Sequence, residues 1–297
     1  MTEIKMNDIN DDEIRVIGED SDMDEGKKRI PWWVWVVIGV AAAGIAMLVL
    51  HQKPESDKDP VDENTSLTAE TSVEAEEADI WIENNDPSLP SATIIQDTLV
   101  DSLHLQIHTP YNCTPELHVG PMEHTDPDIV LAAMAADWRS DNGKIVGAYV
   151  LAGEPLSWGV SKKGYCAIID GEMTIGTSEN SPLFEKATET GGYFFRQFPL
   201  VDNGQLVENE QKNKSVRKAL CSRAGQIFIA VTESDESYHD FSQALVDLGI
   251  DNAISLVGSR YAFGWWIDQD GVKISFSDVW HQYEMENYVI WKVYSID

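Results

Sequence analysis

Basic residues are scarce in this chain. Twenty-one Lys and Arg face 51 Asp and Glu, a net charge of −30 over 297 residues. A surface this acidic repels phosphodiester backbones, and no Lys/Arg cluster is long enough to form a stripe for nucleic acid, so no nucleic-acid partner is expected. Cysteine is nearly missing as well. Cys113, Cys166 and Cys221 are too few and too widely spaced for a disulfide scaffold or a zinc knuckle. The sequence has no P-loop, no dinucleotide-binding glycine fingerprint and no HExxH motif, and no cofactor is implied. Ser157 and Ser259 lie outside any G-x-S-x-G elbow, which argues against a serine hydrolase. What is present is ordinary globular composition, 43% hydrophobic and 24% charged, so disorder throughout is excluded.

The charge is uneven. Residues 1–30 carry 10 acids and 5 bases, residues 31–50 carry none, and residues 51–110 carry 14 acids and 2 bases. The uncharged stretch contains 19 consecutive apolar or small residues, Trp32 to Leu50, close to the ~20 that cross a bilayer as a helix. Pro31 suits a helix start, and Trp32, Trp33 and Trp35 gather at one end, where aromatic residues meet headgroups. Lys27, Lys28 and Arg29 precede the run, and its other flank is acidic, so the positive-inside rule keeps the N-terminus in the cytoplasm. The expected organisation is a cytoplasmic acidic tail (1–30), a single transmembrane helix (31–51), a flexible acidic linker (52–90) and an exported domain (91–297). For a bacterial chain this means an inner-membrane anchor with the C-terminal domain in the periplasm. Within the tail, the β-branched island at residues 13–18 could add as a strand to a cytoplasmic protein partner.

The body reads as α+β, with mixed or antiparallel sheets and a few helices. Leu103 to His108 alternates apolar and polar residues, a half-buried strand with His104 and His108 on one face. Four residues of strand span roughly 13 Å, too far for one metal ion. With His118 and His124 in a loop-like stretch, these histidines read as exposed and no metal is expected. Ile129 to Trp138 has helical composition, and Asp240 to Leu248 reads as a helix capped by Asp240, with Gly249 at its stop. Strand-like runs cover 144–150, 165–170, 172–175, 193–198, 226–232 and 253–257, with further strands from Trp265 to Tyr294. Cys166 and Cys221 sit in apolar surroundings as buried thiols, although an exported domain would also permit a bridge between them, with Cys113 left free.

Three separated segments carry a resemblance. Val146-Gly147-Ala148-Tyr149 followed by Pro155-Leu156-Ser157-Trp158-Gly159, then Phe198-Pro199-Leu200-Val201-Asp202-Asn203-Gly204 with Arg217-Lys218-Ala219, and finally Ile254-Ser255-Leu256-Val257-Gly258-Ser259 match a known order of motifs. Over residues 100–265 the chain resembles the phosphodiester glycosidase family, as a divergent bacterial member. That resemblance implies an exported domain acting on, or binding, an envelope glycan or sugar phosphodiester.

Key polar positions differ from the family pattern. The family's early motif is Asn-Gly-Gly and its late motif Leu-Asp-Gly-Gly, whereas here Val146, Ala148 and Val257 replace the Asn, the second Gly and the Asp. Glycosidic hydrolysis ordinarily uses two carboxylates, and only Asp235, Asp268 and Asp270 lie near in sequence. Catalytic residues are thus unassigned, and a non-catalytic envelope protein that binds a protein partner is the alternative. The ligand-binding candidates are Arg217 and Arg260, whose planar forks pair with phosphate or carboxylate, together with Tyr149, Asn209, Ser259 and Trp265. Tyr261 to Trp266 would offer an aromatic surface for sugar stacking. The segments Gly147–Gly159, Asn209–Ala219 and Leu256–Trp265 are expected to line one concavity with Arg217 pointing into it.

Overall fold

Alternating apolar residues account for most of the architecture. In the computed structural model, residues 90–122, 126–139, 141–260, 262–277, 284 and 286–293 are described, all within one compact unit. The first strands are β1 (Ala92–Val100), β2 (Leu103–Tyr111), β3 (Cys113–Val119), β4 (Ile129–Met134), β5 (Tyr149–Leu151) and β6 (Glu154–Ser157). Then come β7 (Gly164–Ile169), β8 (Glu172–Thr177), helix α1 (Leu183–Thr190), β9 (Tyr193–Gln197), β10 (Pro199–Asp202) and β11 (Gln205–Leu206). The chain continues with β12 (Lys218–Arg223), β13 (Gln226–Thr232), helix α2 (Tyr238–Asp247), β14 (Asn252–Ser255), β15 (Gly264–Ile267), β16 (Lys273–Ser275) and β17 (Asn287–Val293).

These strands form three sheets, in the orders β1-β2-β13-β12-β14-β10-β11, β16-β15-β4-β17-β3 and β6-β5-β9-β7-β8. The pairings are antiparallel, which gives an α+β-like domain dominated by sheet. The period of two divides the seven-stranded sheet cleanly. Leu105, Ile107, Ala219, Cys221, Phe228 and Ala230 face α2, which covers them with Phe241 and Leu245. Leu220, Ile229 and Ile254 face the other way, into the main core with Tyr149, Cys166, Phe195, Leu131 and Trp266.

Three sequence expectations change here. The run from Ile129 is a strand, β4, and all six of its residues are buried. It lies between β15 and β17, covered on both faces. A strand of that kind reads as a continuous apolar run and lacks the alternation that separates strand from helix. His108 is fully buried, while His104 on the same face is exposed. The cause is local: Trp266 and Phe276 close over the His108 end of β2, at 4.6 and 4.9 Å between ring centroids. In α2 the cap is Ser237, one residue before the helix, whose hydroxyl oxygen accepts from the Asp240 amide at 3.0 Å. Cys166 and Cys221 are free buried thiols and Cys113 a free half-buried one, with no bridge between them.

Among the described residues no helix is long and apolar enough to cross a membrane. The 13–18 island, the Trp32–Leu50 run, the linker, His124 and Tyr261 lie outside the described residues.

Candidate functional site

Strand parity decides where the central motif points. Arg217 and Lys218 are consecutive at the start of β12, so their side chains leave on opposite faces. Arg217 falls on the α2 side. Its guanidinium lies 3.9 Å from the Tyr238 ring centroid, Nε donates to the Glu236 carbonyl at 2.8 Å, and an Nη donates to the Asn213 carbonyl. It therefore holds the polar loop 209–216 against α2. Lys218 emerges on the other face, where it lines a concavity of about 330 Å³ with Gln106, Thr232, Ser259, Arg260, Trp266 and Phe276.

The floor of this concavity is unusual in its chemistry. Trp266 and Phe276 form an aromatic wall, with centroids 4.8 Å apart. Lys218 is only 3% exposed, its Nζ donates to the Ala262 carbonyl at 3.0 Å, and it stands 4.6 Å from the Phe276 centroid. Burial pushes its ammonium down to about 7. His108 lies behind the wall, and among the described residues neither its ring nitrogens nor Trp266 Nε1 has a hydrogen-bond partner. Burial, and then the Lys218 charge, push the His108 imidazole down to about 3, so it is neutral at pH 7.

The rim is fixed by one turn. Gly258 has no room for a side chain, since a Cβ there would lie 2.6 Å from the Val216 carbonyl oxygen. That close approach lets the Ser259 amide donate to the same carbonyl at 2.8 Å, with Ser259 in the left-handed region at φ 70°. Arg260 then stands exposed at the edge, paired with Asp235 at 3.2 Å. An exposed pair of this kind contributes little and yields readily to a stronger anion.

Other sequence candidates fall elsewhere. Tyr149 is fully enclosed in the main core and Trp265 in a neighbouring cluster, so neither presents a surface to a ligand. Lys273 covers Trp265, with Nζ 3.9 Å from its ring centroid, and Trp266 is the aromatic that reaches the concavity. Asn209 spends its side-chain amide on the Pro199 and Val207 carbonyls, at 3.0 and 3.2 Å. The Asp268 carboxylate closes the β15–β16 turn by accepting from the Asp270 and Val272 amides.

The expected single concavity divides in two. Val216, Lys218, Ser259 and Arg260 share the pocket just described, whereas Ala148, Trp158 and Gly159 line a separate cup of about 550 Å³ with Glu179, Glu185 and Arg196. Val146 and Val257 are both buried. Near Val146, whose amide donates to the Asp137 carbonyl at 2.8 Å, the Asp137 carboxylate forms an enclosed ion pair with Lys162. Lys162 also donates to Gln197 Oε1 at 3.0 Å, and Ser255 Oγ donates to the same oxygen at 3.2 Å. This chain links β9 and β14, from two of the sheets, to the segments that hold Asp137 and Lys162, and it is buried. Among the described residues no group of three or more metal-ligating side chains converges.

No protein-family model matches this sequence, and no curated protein matches it. Among solved structures, the chain is similar to the catalytic domain of zebrafish N-acetylglucosamine-1-phosphodiester alpha-N-acetylglucosaminidase, auto-inhibited by its pro-peptide. The two share 15% identity with a TM-score of 0.49, over 69% of this chain and 84% of that one. It is also similar to a hypothetical protein from Synechocystis, with 12% identity and a TM-score of 0.50, over 68% of this chain and 62% of that one. The chain thus spans less than two-thirds of the Synechocystis protein. At these identities the likeness is one of fold.

Proposed function

We propose that this is a membrane-anchored, exported domain of phosphodiester-glycosidase-like fold that binds an anionic envelope glycan or sugar phosphodiester without cleaving it. The carrying observation is the composition of the Lys218 pocket. It gathers two basic side chains, Lys218 and Arg260, with Ser259, Ser275 and Gln106 beside the Trp266–Phe276 wall. An apolar ring face, several hydroxyls and a negative group would each find a partner there. Among the described residues lining it Glu233 is the one carboxylate, with Asp235 tied to Arg260 at the edge, where glycosidic hydrolysis ordinarily needs two.

Arg260 tests the binding reading, because its exposed side chain can be removed without disturbing the core. Titrating UDP-N-acetylglucosamine, an α-linked N-acetylglucosamine diphosphate diester, should quench tryptophan fluorescence through Trp266. Arg260→Ala should weaken the Kd by about tenfold, the ~1.4 kcal/mol of one charge-assisted contact. Equal affinity in the two proteins would remove Arg260 from the site.

The anchor has its own test. Protease added outside spheroplasts should degrade the body and leave a short N-terminal fragment in the membrane. A body that survives intact would overturn the topology.

A further inference from the structure

We propose that Lys218 is a nucleophilic amine that captures a small anionic aldehyde as an imine, with Arg260 holding the anion. The inference rests on the reading of the Lys218 pocket as the ligand site and adds a covalent chemistry to it. Four observations support it. The side chain lines an open concavity while being almost wholly buried itself. Among the described residues no carboxylate lies within ion-pair distance of it, unlike the equally buried Lys162, which holds Asp137. Its single hydrogen-bond acceptor is the Ala262 carbonyl, an uncharged group that does little to keep the amine protonated. Its surroundings are the aromatic wall of Trp266 and Phe276.

Such a setting disfavours the ammonium, as the lowered proton affinity shows. A lysine desolvated in an apolar pocket keeps its lone pair free at neutral pH and attacks carbonyls. The step balances without a further reactant. The Nζ lone pair bonds to the carbonyl carbon, and the carbonyl oxygen takes up a proton as the nitrogen gives one up, forming a carbinolamine. Loss of its hydroxyl as water, with the second amine proton, leaves the carbon–nitrogen double bond. The open-chain form of a reducing sugar that carries a phosphate or carboxylate has both required groups, an aldehyde for Lys218 and an anion for Arg260.

Pyridoxal phosphate, an aromatic aldehyde with a phosphate, is a direct probe. The full chain in detergent micelles is incubated with it, reduced with borohydride, and mapped by peptide mass spectrometry. Lys218 should be labelled about tenfold faster than the exposed Lys186 and Lys212, with a rate that rises through neutral pH and levels off before theirs. Arg260→Ala should slow labelling several-fold. Lys218→Arg, which has no primary amine to form the imine, should abolish the adduct. Labelling of Lys218 no faster than of Lys186 overturns the proposal. Sugar-diester binding without the adduct overturns only the amine's role, and the adduct without sugar-diester binding overturns only the glycan reading.

Discussion

Replacing Asp137 with alanine is expected to lower the stability of the domain by about 3–5 kcal/mol, because it strands a buried cation. The Lys162 side chain is 2% exposed, and among the described residues Asp137 is its one charged partner. Without that carboxylate, Lys162 keeps only Gln197 Oε1 and the Phe198 ring, 4.5 Å from Nζ to its centroid. Because the Asp137–Lys162–Gln197–Ser255 chain is buried and links β9 to β14 across two sheets, the loss should appear as a single cooperative shift in thermal melting. Adding Lys162→Met should restore most of the loss, since a buried pair can often be exchanged for apolar groups at little cost. A loss under about 1 kcal/mol would show that Lys162 reaches solvent or another anion.

His108 should make the domain acid-sensitive. Its imidazole falls from 6.5 to about 3 on folding, through burial first and the Lys218 charge second. The unfolded chain therefore takes up a proton as pH drops below 6.5 and the folded chain does not. Stability is lost progressively until about pH 3 and is unaffected by this group above 6.5. The full span is on the order of 4–5 kcal/mol. Lys218, which faces the same wall, is protonated throughout that window and adds a constant penalty, with its own contribution falling above about pH 7. His108→Leu should flatten the acid limb of a denaturation series measured against pH. Parallel curves for the two proteins would contradict the burial of a neutral imidazole.

Elements with clean alternation were legible in the sequence, and elements covered on both sides were not. Gln226–Thr232 was read with the ends it has as β13, and the Asp240 helix was found within two residues at its start. The misses share a cause. Ile129–Met134 carries no polar face to betray a strand. His108 sits on a polar face that a second sheet covers at one end only, and no local pattern in β2 records that cover. The strand β12, Lys-Ala-Leu-Cys-Ser-Arg, begins with a lysine that a one-face reading places in solvent.

The same limit applies to the site. Ser259 ends the third motif and Arg260 is a candidate for its planar fork, and the two share a pocket. Lys218 sits beside Arg217 in Arg217-Lys218-Ala219, and strand parity alone separates the two side chains. Gln106 and Phe276 come from opposite ends of the domain sequence and meet only because β2 and the segment after β16 converge. Asp137 and Lys162 lie 25 residues apart and become partners across a sheet junction that no spacing rule describes.

Binding without hydrolysis is most directly tested in one sample. The full-length protein is incubated with UDP-N-acetylglucosamine, and complex formation and free N-acetylglucosamine are measured together. Saturable binding that Arg260→Ala weakens, with no sugar released above the protein-free blank, is the expected result. Release of N-acetylglucosamine by the unmodified protein would contradict it and would mean that hydrolysis proceeds without a second carboxylate lining the Lys218 pocket.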